Sequence, residues 1–330
     1  MKRGLLVGKF YPPHRGHHFL INTARTQVDE LHVIVCGRPD QQPSGELRAA
    51  WLREIHPEVH VLLIDDTLDP DDSQLWAVHS IRWLGFVPDL VFSSEDYGDR
   101  FAYYLGCQHI QVDKLRQTVP MSGTQVRADP LACWEYIEPP VRGYYARRVI
   151  LVGAESTGKT TLAQNLANHY ATIWVAEYGR EYTEIKLAAG TAVQWVSAEF
   201  TRIASTQCER ENAAARQCNR VLICDTDAFA TAIWHRRYLA ERSPAVEAIA
   251  ARHRHPDLYL LTDVNTPFVQ DGSRDGESIR EWMHQTFVDQ LTTEQRPYRL
   301  LCGSYAERFA QAVGSIDKLL NCRATKNTAY

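Results

Sequence analysis

Two groups of residues in this chain could handle phosphates, by different means. The first is Gly8-Lys9-Phe10-Tyr11-Pro12-Pro13-His14-Arg15-Gly16-His17, directly after the apolar run Gly4–Val7. The second is Gly153-Ala154-Glu155-Ser156-Thr157-Gly158-Lys159-Thr160, directly after Val149–Val152. Each stands where a strand-like run gives way to a helix-like one, the context that gives such a motif physical meaning. In the first, Gly8 lets backbone N–H groups approach a phosphate closely, and the two prolines stiffen the loop. His14 and His17 are three residues apart and so share one face of an opening helical turn. That turn offers free N–H groups and a positive dipole to an anion. Two imidazoles there can donate hydrogen bonds to a phosphoryl group gaining charge. Either histidine alone reads as a structural or surface residue. The six specified positions of GxFxPxHxGH together do not arise by chance at ordinary Gly and Pro frequencies.

A second anchor for the first site is Met121-Ser122-Gly123-Thr124-Gln125-Val126-Arg127. Ser122 and Thr124 suit a helix N-cap, and Arg127 lies one turn on. Plain capping explains the hydroxyls equally well and is compatible with a phosphate seat. The second site follows the pattern of a P-loop. Backbone N–H groups from Gly153, Glu155, Ser156, Thr157 and Gly158 onward cradle phosphates, and Lys159 reaches their oxygens. The Thr160 hydroxyl is a Mg²⁺ ligand, and Thr161 follows it. A chance match of this pattern is about one in a hundred for a chain of this size. Asp225-Thr226-Asp227 follows the apolar run Val221–Cys224, a place for a Mg²⁺-linked carboxylate. Glu177-Tyr178-Gly179-Arg180-Glu181 follows Trp174–Ala176, where Glu177, Tyr178 and Arg180, with Asp227, could read a sugar and a planar base. Core packing is as good an account of Tyr178. Arg274 and Arg280 belong to a glycine-loosened stretch that reads as a lid whose arginines neutralise transferring phosphates, and Asp271 in the same stretch is a further candidate for the nucleoside.

The elements that must position these groups alternate along the chain. Strands are expected at Leu5–Val7, Leu31–Cys36, Val59–Ile64, Leu90–Phe92 and His109–Val112. Helices are expected between them at Phe19–Val28, Glu46–Ile55, Gln74–Leu84 and Tyr97–Leu105, with a last one after Met121–Thr124. The second half repeats the class: strands at Val149–Val152, Ile173–Ala176, Val221–Cys224, Leu258–Leu261 and Arg299–Cys302. Its helices are expected at Lys159–His169, Tyr178–Lys186, Ala192–Gln217, Ala228–Glu241, Ser278–Leu291 and Tyr305–Leu320. Such alternation predicts an α/β chain of two doubly wound parallel-sheet domains. Pro139, Pro140 and Gly143 are expected to interrupt regular structure, so the domains are set at 1–138 and 148–330 with a linker at 139–147. The 330 residues suit two cores. A net charge of -4 gives no basic footprint for nucleic acid. Leu5–Val7 is too short for a signal-peptide core, and no apolar run approaches a bilayer span. The 8 cysteines form no CxxC pair, which reads as reduced thiols in the cytoplasm.

The Gly8–His17 segment with Ser122–Arg127 resembles the HxGH nucleotidyltransferase superfamily, whose second motif is usually written ISSTxxR. The Ser-Gly-Thr form resembles the adenylyltransferase half of the NadR family. The P-loop, Glu177–Glu181, Asp225–Asp227 and Asp271–Arg274, with the linker Pro140–Tyr145, resemble that family's ribosylnicotinamide kinase half. The resemblance implies an HxGH Rossmann-like domain followed by a P-loop kinase domain. The implied kinase moves the ATP γ-phosphate to nicotinamide riboside, with Mg²⁺ and with Glu177 or Asp225 as base. The implied adenylyltransferase joins nicotinamide mononucleotide to the adenylyl part of ATP, giving NAD and pyrophosphate. His17 then contacts the transition state, with His14, Lys9 and Arg127 on the triphosphate and Gly8, Phe10, Ser122 and Thr124 around it. Trp76, Arg82 and Tyr97 are candidates for the pyridine and its sugar, with core or surface roles equally open. Some family members carry an N-terminal helix-turn-helix domain. With seven residues before Gly8, no DNA-binding role is expected here. The alternative is a working kinase beside a domain that mainly senses NAD or ATP. A flavin kinase paired with an adenylyltransferase is disfavoured by the P-loop. A homo-oligomer stays open.

Overall fold

The computed structural model describes residues 1–188, 194–268 and 277–322. It divides into two compact units, Met1–Val141 and Arg142–Tyr330. In the first, β1 (Arg3–Gly8), β2 (Glu30–Gly37), β3 (His60–Asp65), β4 (Leu90–Ser93) and β5 (Gln108–Gln111) form one sheet in the order β3-β2-β1-β4-β5. Every pairing is parallel. Alternate strand residues point to opposite faces, and both faces are covered. Leu6, Val33, Val35 and Phe92 pack with Ile21 and Leu52 on one side. Leu5, Ile34 and Val91 pack with Ala77 and Phe101 on the other. These residues come from α1 (Arg15–Arg25), α2 (Gly45–Ile55), α3 (Ser73–Leu84) and α4 (Gly98–Leu105). Each aliphatic side chain buried in this way contributes about 1.5–3 kcal/mol. A short α5 (Gly123–Ala128) closes the unit's motif region.

The order reverses between β1 and β4, and in an open parallel sheet the ligand crevice lies there, past the carboxyl ends of the strands. Gly8 ends β1 and Ser93 ends β4, so both stand at that crevice.

The second unit repeats the architecture. Its strands are β6 (Arg147–Val152), β7 (Trp174–Val175), β8 (Val221–Asp225), β9 (Leu258–Thr262) and β10 (Tyr298–Leu301), in the parallel order β10-β9-β6-β8-β7. α7 (Lys159–His169) and α13 (Tyr305–Asn321) cover one face, while α8 (Tyr178–Ala188), α9 (Ser197–Ala215) and α10 (Ala228–Leu239) lie about an aromatic cluster.

Three expectations need correction. The paired prolines do not interrupt regular structure: Pro139–Tyr145 is helix α6. Proline is tolerated in a first helical turn, where its missing N–H would have no intrahelical partner. A helix α11 (Pro244–Arg252) also lies where none was expected, capped by Ser243 and opened by Pro244. α9 starts at Ser197, not near Ala192, which lies outside the described residues. Among the described residues, no helix is long and apolar enough to cross a membrane.

Beneath the second sheet lies a buried ionic cluster. Arg148 is 3% exposed and Glu211 1%. His253 Nε2 lies 2.9 Å from Arg148 and 3.0 Å from Glu211, and Arg148 also donates to Asn212 at 2.9 Å. Removing one partner leaves a buried charge uncompensated. Glu211→Ala is therefore expected to destabilise the second unit by about 3–5 kcal/mol, read from urea unfolding. Glu211→Gln, which keeps the hydrogen-bonding shape, should cost less.

Candidate functional sites

The first site is a cavity of about 770 Å³ lined by both sequence motifs. His14 is not on the helix but is the N-cap of α1. Its Nδ1 accepts from Gly16 N at 3.1 Å, and His17 Nδ1 accepts from His14 N at 3.3 Å. The two rings form a reciprocal capping box, with centroids 3.8 Å apart. Accepting at Nδ1 fixes each proton on Nε2, so each ring retains one N–H donor. A second proton would turn Nδ1 from acceptor into donor and break the cap. Burial and then Arg116 push His14 down to about 4. Burial, then His14, His18 and Arg116, push His17 well below the usual histidine range. Both act as neutral donors.

The loop between β1 and α1 is held by residues that sequence reasoning missed. Arg48 is fully buried and donates to the Lys9 carbonyl, to Ser44 O at 3.1 Å and to Gln41 Oε1 at 2.6 Å. Arg127 donates to the Tyr11 carbonyl and to Thr124 Oγ1 at 3.0 Å. The Tyr11 ring carries the Arg48 guanidinium at 4.9 Å and that of Arg127 at 4.6 Å. Arg127 thus ties the two motifs together through Tyr11. An arginine within an amphipathic helix carries no sign of burial in sequence, so Arg48 was not legible. Ser122 caps α5, reciprocally with Gln125. Lys9 lies 3.9 Å from the buried Asp66, which also takes Arg38 at 2.9 Å. Gly8, Phe10, Trp76 and Tyr97 line the cavity, and the Tyr97 hydroxyl donates to Val7 O at 2.9 Å. Arg82 is a correction: it is exposed on the last turn of α3 and does not line the cavity.

The Ser-Gly-Thr variant of the second motif has a steric cause. A Cβ at Gly123 would stand 2.7 Å from the Tyr11 carbonyl oxygen. That contact is with backbone, so α5 or the Tyr11 loop would have to shift.

In the second site, Gly153 and Gly158 have φ of 142° and 82°, conformations that favour glycine. A Cβ at Gly153 would meet Thr262 Oγ1 at 2.4 Å. The Lys159 ammonium is buried over the loop, donating to Gly153 O at 3.0 Å and Ala154 O at 2.8 Å. Thr157 faces inward, its hydroxyl 2.7 Å from Thr262 Oγ1 and donating to Ala154 O at 2.9 Å. Only its backbone N–H is left to meet a phosphate. Arg308, another residue missed from sequence, donates to Thr157 O at 2.8 Å and braces the loop. Thr160 donates to Asp225 Oδ2, while Asp225 Oδ1 is buried with no hydrogen-bond partner. An orphaned carboxylate oxygen beside a hydroxyl fits a Mg²⁺ that takes its other oxygens from phosphates and water.

A pocket of about 150 Å³ adjoins the loop. Glu155, Ser156, Gly158, Thr161, Glu177 and Arg180 line it, with Trp195, Phe200, Trp234 and Tyr238. The four aromatic residues come from α9, α10 and the segment before α9, and only folding collects them. Burial and then the Asp225 carboxylate push Glu177 up to about 7. Two nucleoside candidates are corrected. Tyr178 packs in the core, with Arg210 over its ring at 4.4 Å. Asp227 caps α10, accepting from Ala230 N at 2.9 Å and from the Tyr259 hydroxyl at 2.7 Å. Both its oxygens are engaged away from the pocket. Asp271 and Arg274 lie outside the described residues. Arg280 opens α12 (Arg280–Thr293) 3.5 Å from Thr266 Oγ1, and does not line the pocket.

Two parallel sheets, each ending in a phosphate loop that opens a helix, define a two-site nucleotide-binding protein. Residues 148–308 match a protein family described as "AAA domain". The "Trifunctional NAD biosynthesis/regulator protein NadR" of Escherichia coli K12 is 31% identical over 343 residues, spanning 96% of this chain and 83% of that protein. Its Salmonella typhimurium counterpart is 31% identical over 344 residues, with the same coverage. A "Nicotinamide-nucleotide adenylyltransferase" of Methanospirillum hungatei is 26% identical over 152 residues, 42% of this chain and 84% of that protein. A solved NadR in complex with NR superposes with a TM-score of 0.80 at 20% identity, over 99% of this chain and 98% of that one. The chain belongs to the NadR family. It is a transferase of phosphorus-containing groups.

Gly123→Ala should weaken nucleotide binding in the first cavity about tenfold, because strain of this kind costs roughly 1–3 kcal/mol. Calorimetry in a Lys159→Ala background, which weakens the second nucleotide site, would read it.

Proposed function

We propose that the chain is a bifunctional NAD salvage enzyme. The second unit phosphorylates nicotinamide riboside with ATP, and the first joins the resulting nicotinamide mononucleotide to the adenylyl group of a second ATP. The observation that carries this reading is the presence of both phosphate loops, with their functional side chains, on a chain alike to NadR over 96% of its length.

In the kinase the riboside 5′-oxygen attacks the γ-phosphorus, its proton leaves to a carboxylate, and ADP departs. Asp225 sits on the Thr160 hydroxyl and would hold Mg²⁺ with it. Glu177 faces the pocket and is assigned as base. Mg²⁺ would supply charge neutralisation at the phosphates. The aromatic wall of Trp195, Phe200, Trp234 and Tyr238 suits a cationic pyridinium ring. Lys159 would leave the Gly153 and Ala154 carbonyls for phosphate oxygens.

In the adenylyltransferase a phosphate oxygen of the mononucleotide attacks the α-phosphorus and pyrophosphate leaves. The nucleophile is already an anion, so no base is needed. Positioning and charge stabilisation carry the rate. The Nε2–H groups of His14 and His17 are the donors placed for the charge that develops. Both reactions are assigned to the cytoplasm, in keeping with eight free thiols.

Purified protein given nicotinamide riboside, ATP and Mg²⁺ should form mononucleotide and then NAD, followed by chromatography. Lys159→Ala should abolish the first product, and NAD should still form from added mononucleotide. His17→Ala should slow the NAD step about 10²–10³-fold while sparing the kinase. Mononucleotide without NAD would sink the bifunctional reading in favour of a sensor domain.

The two steps should also differ in pH dependence. Burial raises the Glu177 carboxyl above the ordinary carboxylate range, and it must be ionised to accept a proton, so kinase turnover should fall toward acid pH. His14 and His17 are neutral donors whose protonation is held off to low pH, so NAD formation should show no histidine titration near 6.5. Initial rates of each step between pH 5.5 and 8 would test the contrast.

A further inference from the structure

The first cavity has a side-chain relay outside both motifs. Ser93 ends β4 and lines the cavity, yet is only 2% exposed. Its Oγ lies 2.9 Å from Nε2 of His109, on the neighbouring strand β5. His109 Nδ1 lies 2.7 Å from Oδ1 of Asp99, in the first turn of α4. The Ser93 hydroxyl also lies 3.2 Å from the Glu95 carbonyl. Gly98 makes room for the arrangement. A Cβ there would stand 2.2 Å from His109 Nε2 and 2.5 Å from Ser93 Oγ, so any other residue would displace the imidazole or the hydroxyl.

Asp99 can only accept, so Nδ1 carries a proton, and the one Ser93 hydroxyl proton has two acceptors in reach, His109 Nε2 and the Glu95 carbonyl, which leaves lone pairs of the Ser93 oxygen for a donor. The three groups have the order of a hydrolase triad. Here, however, the serine is enclosed and its oxygen is held between an imidazole and a carbonyl, as in a brace. What it braces is the Ser93–Tyr97 wall. Glu95, 3.3 Å from Arg116, and Tyr97 both line the cavity from that wall, as does Arg116 itself.

We propose that Asp99, His109 and Ser93 are positioning residues that set this wall and turn the Ser93 oxygen toward a hydrogen-bond donor on the bound ATP. The assignment to ATP follows from topology. The wall stands over β4 and β5, the half of the sheet from which the chain runs on to Ser122–Arg127. Asp66, directly after β3 on the opposite side of β1, also lines the cavity, and that side is left for the mononucleotide. This inference rests on the adenylyltransferase reading of the first unit.

The test measures KM for ATP and for nicotinamide mononucleotide in NAD formation, with circular dichroism and thermal melting as the control for folding of the first unit. His109→Leu should raise KM for ATP about tenfold, as expected when a buried hydroxyl loses its partner, with KM for the mononucleotide unchanged. His109→Gln, which can still reach Ser93, should recover most of that loss. Asp99 is solvent-exposed, so Asp99→Ala should fold normally and raise KM for ATP several-fold, while Asp99→Asn should not. A KM for ATP within twofold of wild type in both His109→Leu and Asp99→Ala would overturn the proposal. So would equal rises for both substrates, or a Gln variant no better than Leu. If the wild-type chain makes no NAD, the adenylyltransferase reading fails by itself. The relay is then judged by calorimetric ATP affinity in the Lys159→Ala background, where unchanged affinity in His109→Leu overturns it and a tenfold loss supports it.

Discussion

Both sites depend on one constraint: a phosphate is met by backbone N–H groups that have no partner of their own. Such groups exist in number only where a strand ends and a helix begins. A parallel sheet gathers these junctions along one edge, and so the chain builds two parallel sheets. The loop must also stay open while its carbonyls are tied back. In the second unit Arg308 and Thr157 do this work, and in the first Arg48 and Arg127 do it through the Lys9 and Tyr11 carbonyls. The arginines that brace a loop are thus distinct in task from the groups that meet the phosphate.

The two sites solve different electrostatic problems with the same backbone device. The first collects neutral histidines, whose caps keep Nδ1 unprotonated and leave Nε2–H as donor. Neutral donors suit a substrate that brings its own negative charge. The second collects carboxylates close together, and burial, then repulsion from Asp225, raises Glu177 toward neutrality. A carboxyl with that affinity for a proton suits a substrate that arrives with a hydroxyl. In the proposed reactions, the difference in nucleophile matches the charge state of the groups beside each loop.

The apolar runs before Gly8 and Gly153 were legible as strands because residues buried on both faces need no alternation. Short motifs such as Gly153–Thr160 were legible because backbone geometry restricts them to few residue types. The glycines at 153 and 158 have positive φ, and Gly123 meets the Tyr11 carbonyl. Helix α11 carried a visible signal, Ser243 before Pro244, that hydrophobic periodicity alone passed over. Asp227 and Tyr178 looked like ligands because they adjoin a motif, but adjacency in sequence says nothing about which way a side chain turns. Asp227 turns to its cap and to Tyr259, and Tyr178 to the core.

By itself, then, the sequence determined the fold class, the two phosphate loops and the family, because each rests on local geometry or on a contiguous pattern. Only the tertiary structure decided the burial of Arg48, the aromatic wall around Trp195 and Trp234, and the meeting of Ser93, His109 and Asp99. It also separated Asp225, on the Thr160 hydroxyl, from Glu177, at the pocket. These are contacts between residues distant in the chain. They follow from which strands lie side by side, and hydrophobic periodicity carries no information about that order.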